Sequence, residues 1–225
     1  MVTLFLSGGG DKKFTEKFDQ EFKEQMDLTK PLLYIPIAMK GMTSYADCYQ
    51  WVNSVFNPLG IQEIIMWTDL NHKSIEDLKQ CSAVYIGGGN TFSLLNDLCS
   101  FKFDEILTEY IESGGIVYGG SAGAIILGAD IMTCAHLDSN DVNLKDYKGF
   151  NLVNDFAIWC HYELENDELI RNYIKEYEKP VIALPEETGI HFSDGCIRVT
   201  GTKPATLFRE ESKAALLPGS KHSLI

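Results

Sequence analysis

The stretch of residues 114–124 restricts the possible fold more than any other part of the sequence. A strand-forming run at residues 116–118 leads into a Gly-x-Ser-x-Gly motif around Ser121, and apolar residues follow at 125–127. A strand, a sharp turn carrying a serine and a helix are together typical of a nucleophile elbow, which exposes the serine hydroxyl on a strained backbone. The neighbours of such a serine must be small, because larger side chains would collide with the strand or the helix. We therefore predict that Ser121 is a nucleophile; the alternative interpretation is an ordinary turn with a capping serine.

Strands and helices alternate through the first half of the chain. Apolar runs predict buried strands at residues 3–6, 32–37, 63–67 and 83–86. Helical spacing of apolar residues predicts helices at residues 11–28, 44–56, 74–80, 92–98 and 103–112. This alternation predicts an α/β fold with a doubly wound, mostly parallel sheet, which binds ligands beyond the carboxyl ends of its strands. Ser7, Gly88 and Ser121 all follow or end such strands.

The second half of the chain is less regular. Residues 130–148 are polar and predict an irregular segment over the sheet edge, followed by a strand at 155–159 and a helix at 163–177. Short strands are predicted at residues 181–184, 189–192, 196–200 and 205–208. We expect one domain over residues 1–225, in which these last strands extend the sheet in antiparallel fashion.

Charge and cysteine content limit the class of protein. The net charge of −13 argues against nucleic acid or an anionic membrane as a partner. The six cysteines form no C-x-x-C pair and no metal-ligand spacing, so we expect free thiols in a reducing, cytoplasmic compartment and no metal or cofactor. The chain begins directly in a predicted strand, and we expect neither a signal peptide nor a membrane-spanning helix. The oligomeric state stays open.

A serine nucleophile needs a base, and the base needs an acid that orients it. Of the five histidines, His161 is favoured as the base because it follows an apolar run and precedes a helix; His136, in the irregular segment, is an alternative. Asp138 and Asp141 lie between the serine and this histidine, which matches the usual chain order of elbow hydrolases. Glu187 follows another predicted strand and is a rival for the same role.

Acyl transfer also needs N–H groups that stabilise the oxyanion. The residue after the nucleophile usually supplies one of them, here Ala122. The glycine run at residues 87–89 follows a neighbouring strand and can supply the second, from Gly88. The alternative is a phosphate-binding loop, but the run lacks the Lys-Ser/Thr of a P-loop.

These motifs resemble the peptidase E family, cytoplasmic serine exopeptidases that include aspartyl dipeptidase and, more distantly, cyanophycinase. The resemblance rests on Ile-Gly-Gly-Gly-Asn-Thr-Phe at 86–92, Gly-Ser-Ala-Gly-Ala at 120–124 and His161, and it extends to about residue 208. It implies a fold like that of class I glutamine amidotransferases, with serine in place of their cysteine at the elbow.

The resemblance also assigns roles to single residues. It implies Ser121 as the nucleophile, His161 as the base, and Gly88 and Ala122 as the oxyanion donors. The family's triad acid is an aspartate in the loop after the elbow helix, and Asp138 matches it once a short insertion is allowed. Asn90, in the glycine-rich motif, is expected to bind substrate.

The resemblance is weaker in the segment after His161, which determines substrate choice in aspartyl dipeptidases. Aspartyl dipeptidases carry an arginine for the substrate's aspartate in a longer loop after the histidine, whereas residues 162–168 here are acidic. This predicts a preference for neutral or basic first residues over aspartate, unless Arg171 faces the site.

We expect a serine-type exopeptidase or dipeptidase that cleaves short peptides through an acyl-enzyme. The alternatives are an esterase or amidase on the same site, or a catalytically silent binding module.

Overall fold

The computed structural model describes residues 2–224, which form twelve strands and seven α-helices. The strands are β1 (Thr3–Ser7), β2 (Leu32–Ile35), β3 (Ile64–Met66), β4 (Ala83–Ile86), β5 (Ile116–Gly120), β6 (Ala157–Trp159), β7 (Val181–Ala183), β8 (Thr188–Ser193), β9 (Cys196–Gly201), β10 (Ala205–Arg209), β11 (Ser212–Leu216) and β12 (Lys221–Ser223). The helices are α1 (Lys12–Glu24), α2 (Tyr45–Phe56), α3 (Ile75–Lys79), α4 (Thr91–Ser100), α5 (Phe103–Glu112), α6 (Ala122–Ile125) and α7 (Asp167–Tyr177). No helix of this part of the chain is long and apolar enough to cross a bilayer.

A central sheet of eight strands has the order β12-β9-β8-β1-β5-β4-β2-β3. Strands β1 to β5 are parallel to one another, and β8, β9 and β12 join them in antiparallel fashion. The predicted fold class, a mostly parallel sheet flanked by helices with antiparallel C-terminal strands, is confirmed.

A second sheet departs from the sequence prediction. Strands β6, β7, β10 and β11 do not extend the central sheet but form a separate one, in the order β11-β10-β7-β6. The chain leaves the central sheet at Gly201, whose φ of +133° suits glycine and turns the backbone away. Strand β10 then pairs with β7, which is joined to β6 by the crossover helix α7.

One face of the central sheet carries an aromatic row, made of Phe5, Tyr34, Tyr85 and Tyr118. These residues occupy matching register positions on β1, β2, β4 and β5, so their side chains lie on the same face. The ring centroids of Tyr85 and Tyr118 are 4.7 Å apart, and such pairs add about 0.5–1.5 kcal/mol beyond burial of their area. The covering residues come from α1 and α2: Phe18, Phe22, Val52 and Phe56.

The opposite face of the sheet is aliphatic. Leu4, Leu33, Val84 and Val117 alternate with the aromatic row and pack under α4, α5 and α6. Because β1 to β5 run parallel, their carboxyl ends lie at the same edge of the sheet. The ends of β1, β4 and β5 meet at this edge, where the candidate site lies.

Candidate active site

Ser121 lies in the sharp turn between β5 and α6. Its backbone has φ 49° and ψ −111°, a conformation that a residue with a side chain rarely adopts. A Cβ atom at Gly119 would overlap the backbone of Gly123, and one at Gly123 would overlap the carbonyl of Ile86. Both outer glycines of the Gly-x-Ser-x-Gly motif are therefore required by close backbone packing. The helix after the turn is only four residues long, shorter than the apolar run suggests.

The imidazole of His161 contacts the Ser121 hydroxyl, with 2.8 Å between Nε2 and Oγ. His161 follows β6 of the second sheet, and its backbone N–H donates to the carbonyl of Gly8 at 2.9 Å. This bond ties the end of the second sheet to the loop after β1. The alternative base, His136, instead has its Nδ1 3.0 Å from the Thr133 carbonyl and stacks on Trp159.

The loop after β1 positions the His161 ring. Gly9 has φ +112°, and a Cβ atom there would overlap the imidazole at Cε1. Gly9 belongs to a glycine run at residues 8–10, and no local sequence pattern indicates a role for this run. Its contact with a histidine 152 residues later is visible only in the folded chain.

Replacing Gly9 with alanine should lower kcat at least about 100-fold, because a displacement of the imidazole by 1 Å is enough to cost that much. Gly60→Ala is the matched control: Gly60 also has positive φ, +96°, but a Cβ atom there has no neighbour within 4 Å. Both variants strain the backbone, so steady-state kinetics alongside thermal unfolding separates strain from displacement of the ring. Equal activity of the two variants would contradict the positioning role of Gly9.

The second nitrogen of His161 faces Glu186. Its Nδ1 lies 2.9 Å from Glu186 Oε1, and the two side chains are 33% and 43% exposed. An ionised carboxylate can only accept, so it fixes the proton on Nδ1 and leaves Nε2 free to accept the serine proton. Ser121, His161 and Glu186 thus form the geometry of a serine–histidine–acid triad.

The acids named from the sequence are engaged elsewhere, which corrects the expected role of Asp138. The Asp138 carboxylate accepts from the Thr91 N–H at 2.8 Å and so holds its loop to the start of α4. Asp141 accepts from the Ser139 hydroxyl. Glu187 pairs with Lys203 at 2.8 Å, and this hydrogen bond lowers the pKa of the Glu187 carboxyl.

Asn90 also differs from its expected role. Its Oδ1 accepts from the N–H of Ser93, capping α4, and its Nδ2 donates to the carbonyl of Ser139. Both ends of the amide are satisfied by backbone groups, so Asn90 is a structural link between α4 and the loop around Asp138. The prediction that it binds substrate is not supported by this geometry.

The two expected oxyanion donors lie beside the serine. A Cβ atom at Gly88 would stand 3.2 Å from the Ser121 Cβ and 3.7 Å from its Oγ, so Gly88 approaches the serine closely because it has no side chain. Ala122 directly follows the serine and begins α6. Within residues 2–224 no backbone carbonyl or side chain accepts a hydrogen bond from the N–H of Gly88 or Ala122. Both groups are thus available to an oxygen bound next to Ser121.

A cavity of about 630 Å³ opens beside Ser121 and His161. Its lining includes Asp19, Asp47 and Asp138, and among the described residues it contains no lysine or arginine. Arg171 lies on the exposed side of α7 and is not part of this lining. Within residues 2–224 no three His, Cys, Asp or Glu side chains are grouped so that they could hold a metal ion.

Comparisons with known proteins show the family to which the chain belongs. The model of "Peptidase family S51" matches residues 3–200. The chain is 28% identical to a peptidase E of Shewanella denitrificans over 97% of this chain and 95% of the relative, and 30% identical to a peptidase E of Pasteurella multocida over 65% of each.

Solved structures give the same picture. A putative peptidase E protein from Listeria monocytogenes is 26% identical and superposes with a TM-score of 0.68 over 89% of this chain and 98% of that one. A peptidase from an acI-B1 Actinobacterium, 19% identical, superposes with a TM-score of 0.76 over 99% of this chain and 97% of that one. The second similarity concerns the fold alone.

Proposed function

We propose, from the premise that the chain belongs to peptidase family S51, that it removes residues from the N-terminus of short peptides as an exopeptidase or dipeptidase. Family membership confirms the prediction of a peptidase E-like serine peptidase. The observation that supports the proposed peptide cleavage is the chain of contacts from Ser121 through His161 to Glu186. Ser121 Oγ lies 2.8 Å from His161 Nε2, and His161 Nδ1 lies 2.9 Å from Glu186 Oε1.

In the proposed acylation step, Ser121 Oγ attacks the carbonyl carbon of the scissile peptide bond. Its proton passes to His161 Nε2, and the resulting imidazolium is stabilised by the Glu186 carboxylate. The N–H groups of Gly88 and Ala122 receive the negative charge that develops on the carbonyl oxygen. His161 then donates its proton to the leaving amine, and the peptide bond breaks.

Water hydrolyses the acyl-enzyme, and His161 again acts as the base. His161 Nε2 takes a proton from the water, which attacks the ester carbon on Ser121, and the proton returns to Ser121 Oγ as the ester breaks. No metal or cofactor is needed for any of these steps. The cavity volume of about 630 Å³ lies in the range of small-molecule sites, which is compatible with a short peptide.

The proposal is tested with a panel of dipeptides, the same dipeptides acetylated at the N-terminus, and longer peptides, with products identified by mass spectrometry. We expect free dipeptides to be cleaved and acetylated ones to be poor substrates. Added hydroxylamine should divert part of the acyl group to a hydroxamate, because an acyl-enzyme can be intercepted by another nucleophile. Turnover of simple esters without any peptide turnover would instead support the esterase alternative, and no turnover at all would support the silent binding module.

A further inference from the structure

A buried carboxylate lines the cavity on the side of the aromatic row. Asp19, on α1, is only 2% exposed, yet it belongs to the cavity lining. Its Oδ1 accepts from the Tyr118 hydroxyl at 2.8 Å, and its Oδ2 accepts from the Thr15 hydroxyl at 2.7 Å. A carboxylate offers about four acceptor sites, so further donors can be bound. Among the described residues no lysine, arginine or histidine forms an ion pair with it.

The strand register connects this carboxylate with the nucleophile. Tyr118, which donates to Asp19, lies on the same face of β5 as Gly120, roughly 7 Å away along the strand. Gly120 directly precedes Ser121 and has no side chain; a Cβ atom there would stand only 2.9 Å from the Tyr85 hydroxyl. The missing side chain makes room for the Tyr85 hydroxyl, and Gly120 lines the same cavity as Ser121 and Asp19.

The surroundings of Asp19 favour a positive charge. Burial raises the pKa of Asp19 to about 6, because the hydrogen bonds from Thr15 and Tyr118, which favour the ionised form, only partly offset its desolvation. Asp47 and Asp138 add negative charge to the cavity lining, and no lysine or arginine among the described residues faces it. A cation bound next to Asp19 would offset the remaining cost of burying its negative charge.

We propose that Asp19 is the counter-ion for a protonated amine on the residue that is transferred to Ser121, which makes it a specificity-determining residue of this peptidase. This inference rests on the proposed function. The amine has two sources, the α-ammonium group of the substrate or the side-chain ammonium of an N-terminal lysine. The acidic lining of the cavity is also expected to disfavour an aspartate side chain at this position.

The test compares Asp19→Asn with Glu16→Gln. Asparagine keeps the size of the side chain and an acceptor for Tyr118 or Thr15, but removes the charge. Glu16 is exposed on the same helix, so Glu16→Gln removes one charge without touching the cavity and controls for a general field effect. Circular dichroism and thermal unfolding verify that both variants are folded.

Substrates are the lysyl and norleucyl amides of aminomethylcoumarin, the Nα-acetylated lysyl amide, and p-nitrophenyl acetate, which carries no amine. Asp19→Asn should lower kcat/KM for amine-bearing substrates about tenfold or more, as expected for a lost hydrogen bond between charged groups. Turnover of p-nitrophenyl acetate should stay the same. A loss for both lysyl substrates but not for norleucyl identifies the side-chain ammonium; an equal loss for lysyl and norleucyl identifies the α-ammonium.

A binding measurement separates this proposal from the proposed function. Lysinamide should bind to the Ser121→Ala protein, measured by calorimetry, about tenfold more weakly when Asp19→Asn is added. If the wild type cleaves no amide while this dependence holds, the exopeptidase function is wrong and the amine site stands. Lysinamide binding that does not depend on Asp19, an equal loss for p-nitrophenyl acetate, or an equal effect of Glu16→Gln would overturn the proposal.

Discussion

Replacing Ser121 with alanine should lower kcat/KM for the best dipeptide substrate by about 10⁴-fold or more. The hydroxyl is the attacking group in the proposed reaction, and its Oγ is 2.8 Å from His161 Nε2. Alanine removes this oxygen and changes little else in the tight turn. The measurement is steady-state hydrolysis followed by product chromatography, with enzyme concentrations high enough to detect the residual rate.

Ser139→Ala is the matched control for this variant, since it removes a serine hydroxyl that donates to Asp141 on an exposed loop. We expect it to retain most of the wild-type activity. Thermal unfolding should show that both proteins are folded. Ser121→Ala activity within tenfold of wild type would show that another group forms the covalent bond, or that none does.

Glu186→Gln should lower kcat by about 10³-fold or more, with a smaller effect on KM. Glutamine cannot stabilise the imidazolium that forms when His161 takes the serine proton, and its amide can hold the ring in the wrong tautomer. Both side chains are partly exposed, at 33% and 43%, so water weakens the pair to some extent and the loss should not exceed that of the serine variant. The measurement is kcat for one dipeptide over a pH series.

Two further variants distinguish Glu186 from the acids suggested by the sequence. Asp138→Asn and Glu187→Gln should each stay within about tenfold of wild type, because their carboxylates contact Thr91 N–H and Lys203 rather than the histidine. An inactive Asp138→Asn beside a nearly normal Glu186→Gln would restore the assignment that the sequence suggested and refute the geometry described above.

The sequence predicted those parts of the site that depend on local pattern. The turn around Ser121 has a signature of small residues because its backbone allows nothing larger, so this serine could be proposed as the nucleophile from the sequence. His161 could be selected because it follows an apolar strand. The same holds for the parallel strands β1 to β5, each of which is a short apolar run bounded by turn residues.

The orienting acid could not be predicted in the same way. Glu186 and Glu187 are adjacent and have the same chemistry, so the side that each faces decides which one reaches His161. That choice depends on the turn after β7 and on Lys203, which engages Glu187. Asp138 matched the expected chain order, but chain order does not determine distance.

Strand pairing and contacts between residues distant in sequence could likewise not be predicted from local sequence pattern. The second sheet arises because β10 pairs with β7 instead of continuing beside β9, and both arrangements suit a short apolar strand. The contact between Gly9 and His161 and the position of Asp19 behind Tyr118 both join residues distant in sequence. Asp19 reads as an ordinary polar position of an amphipathic helix until its burial is known.

The central claim is that Ser121 carries the acyl group during turnover. The most direct measurement is an acid quench of the reaction with an amino-acid p-nitrophenyl ester, followed by peptide mapping with mass spectrometry. We predict a mass increase equal to the aminoacyl group on Ser121, absent in the Ser121→Ala protein. An acyl group on another residue, such as the exposed thiols Cys99 or Cys196, with Ser121 unmodified, would contradict the account.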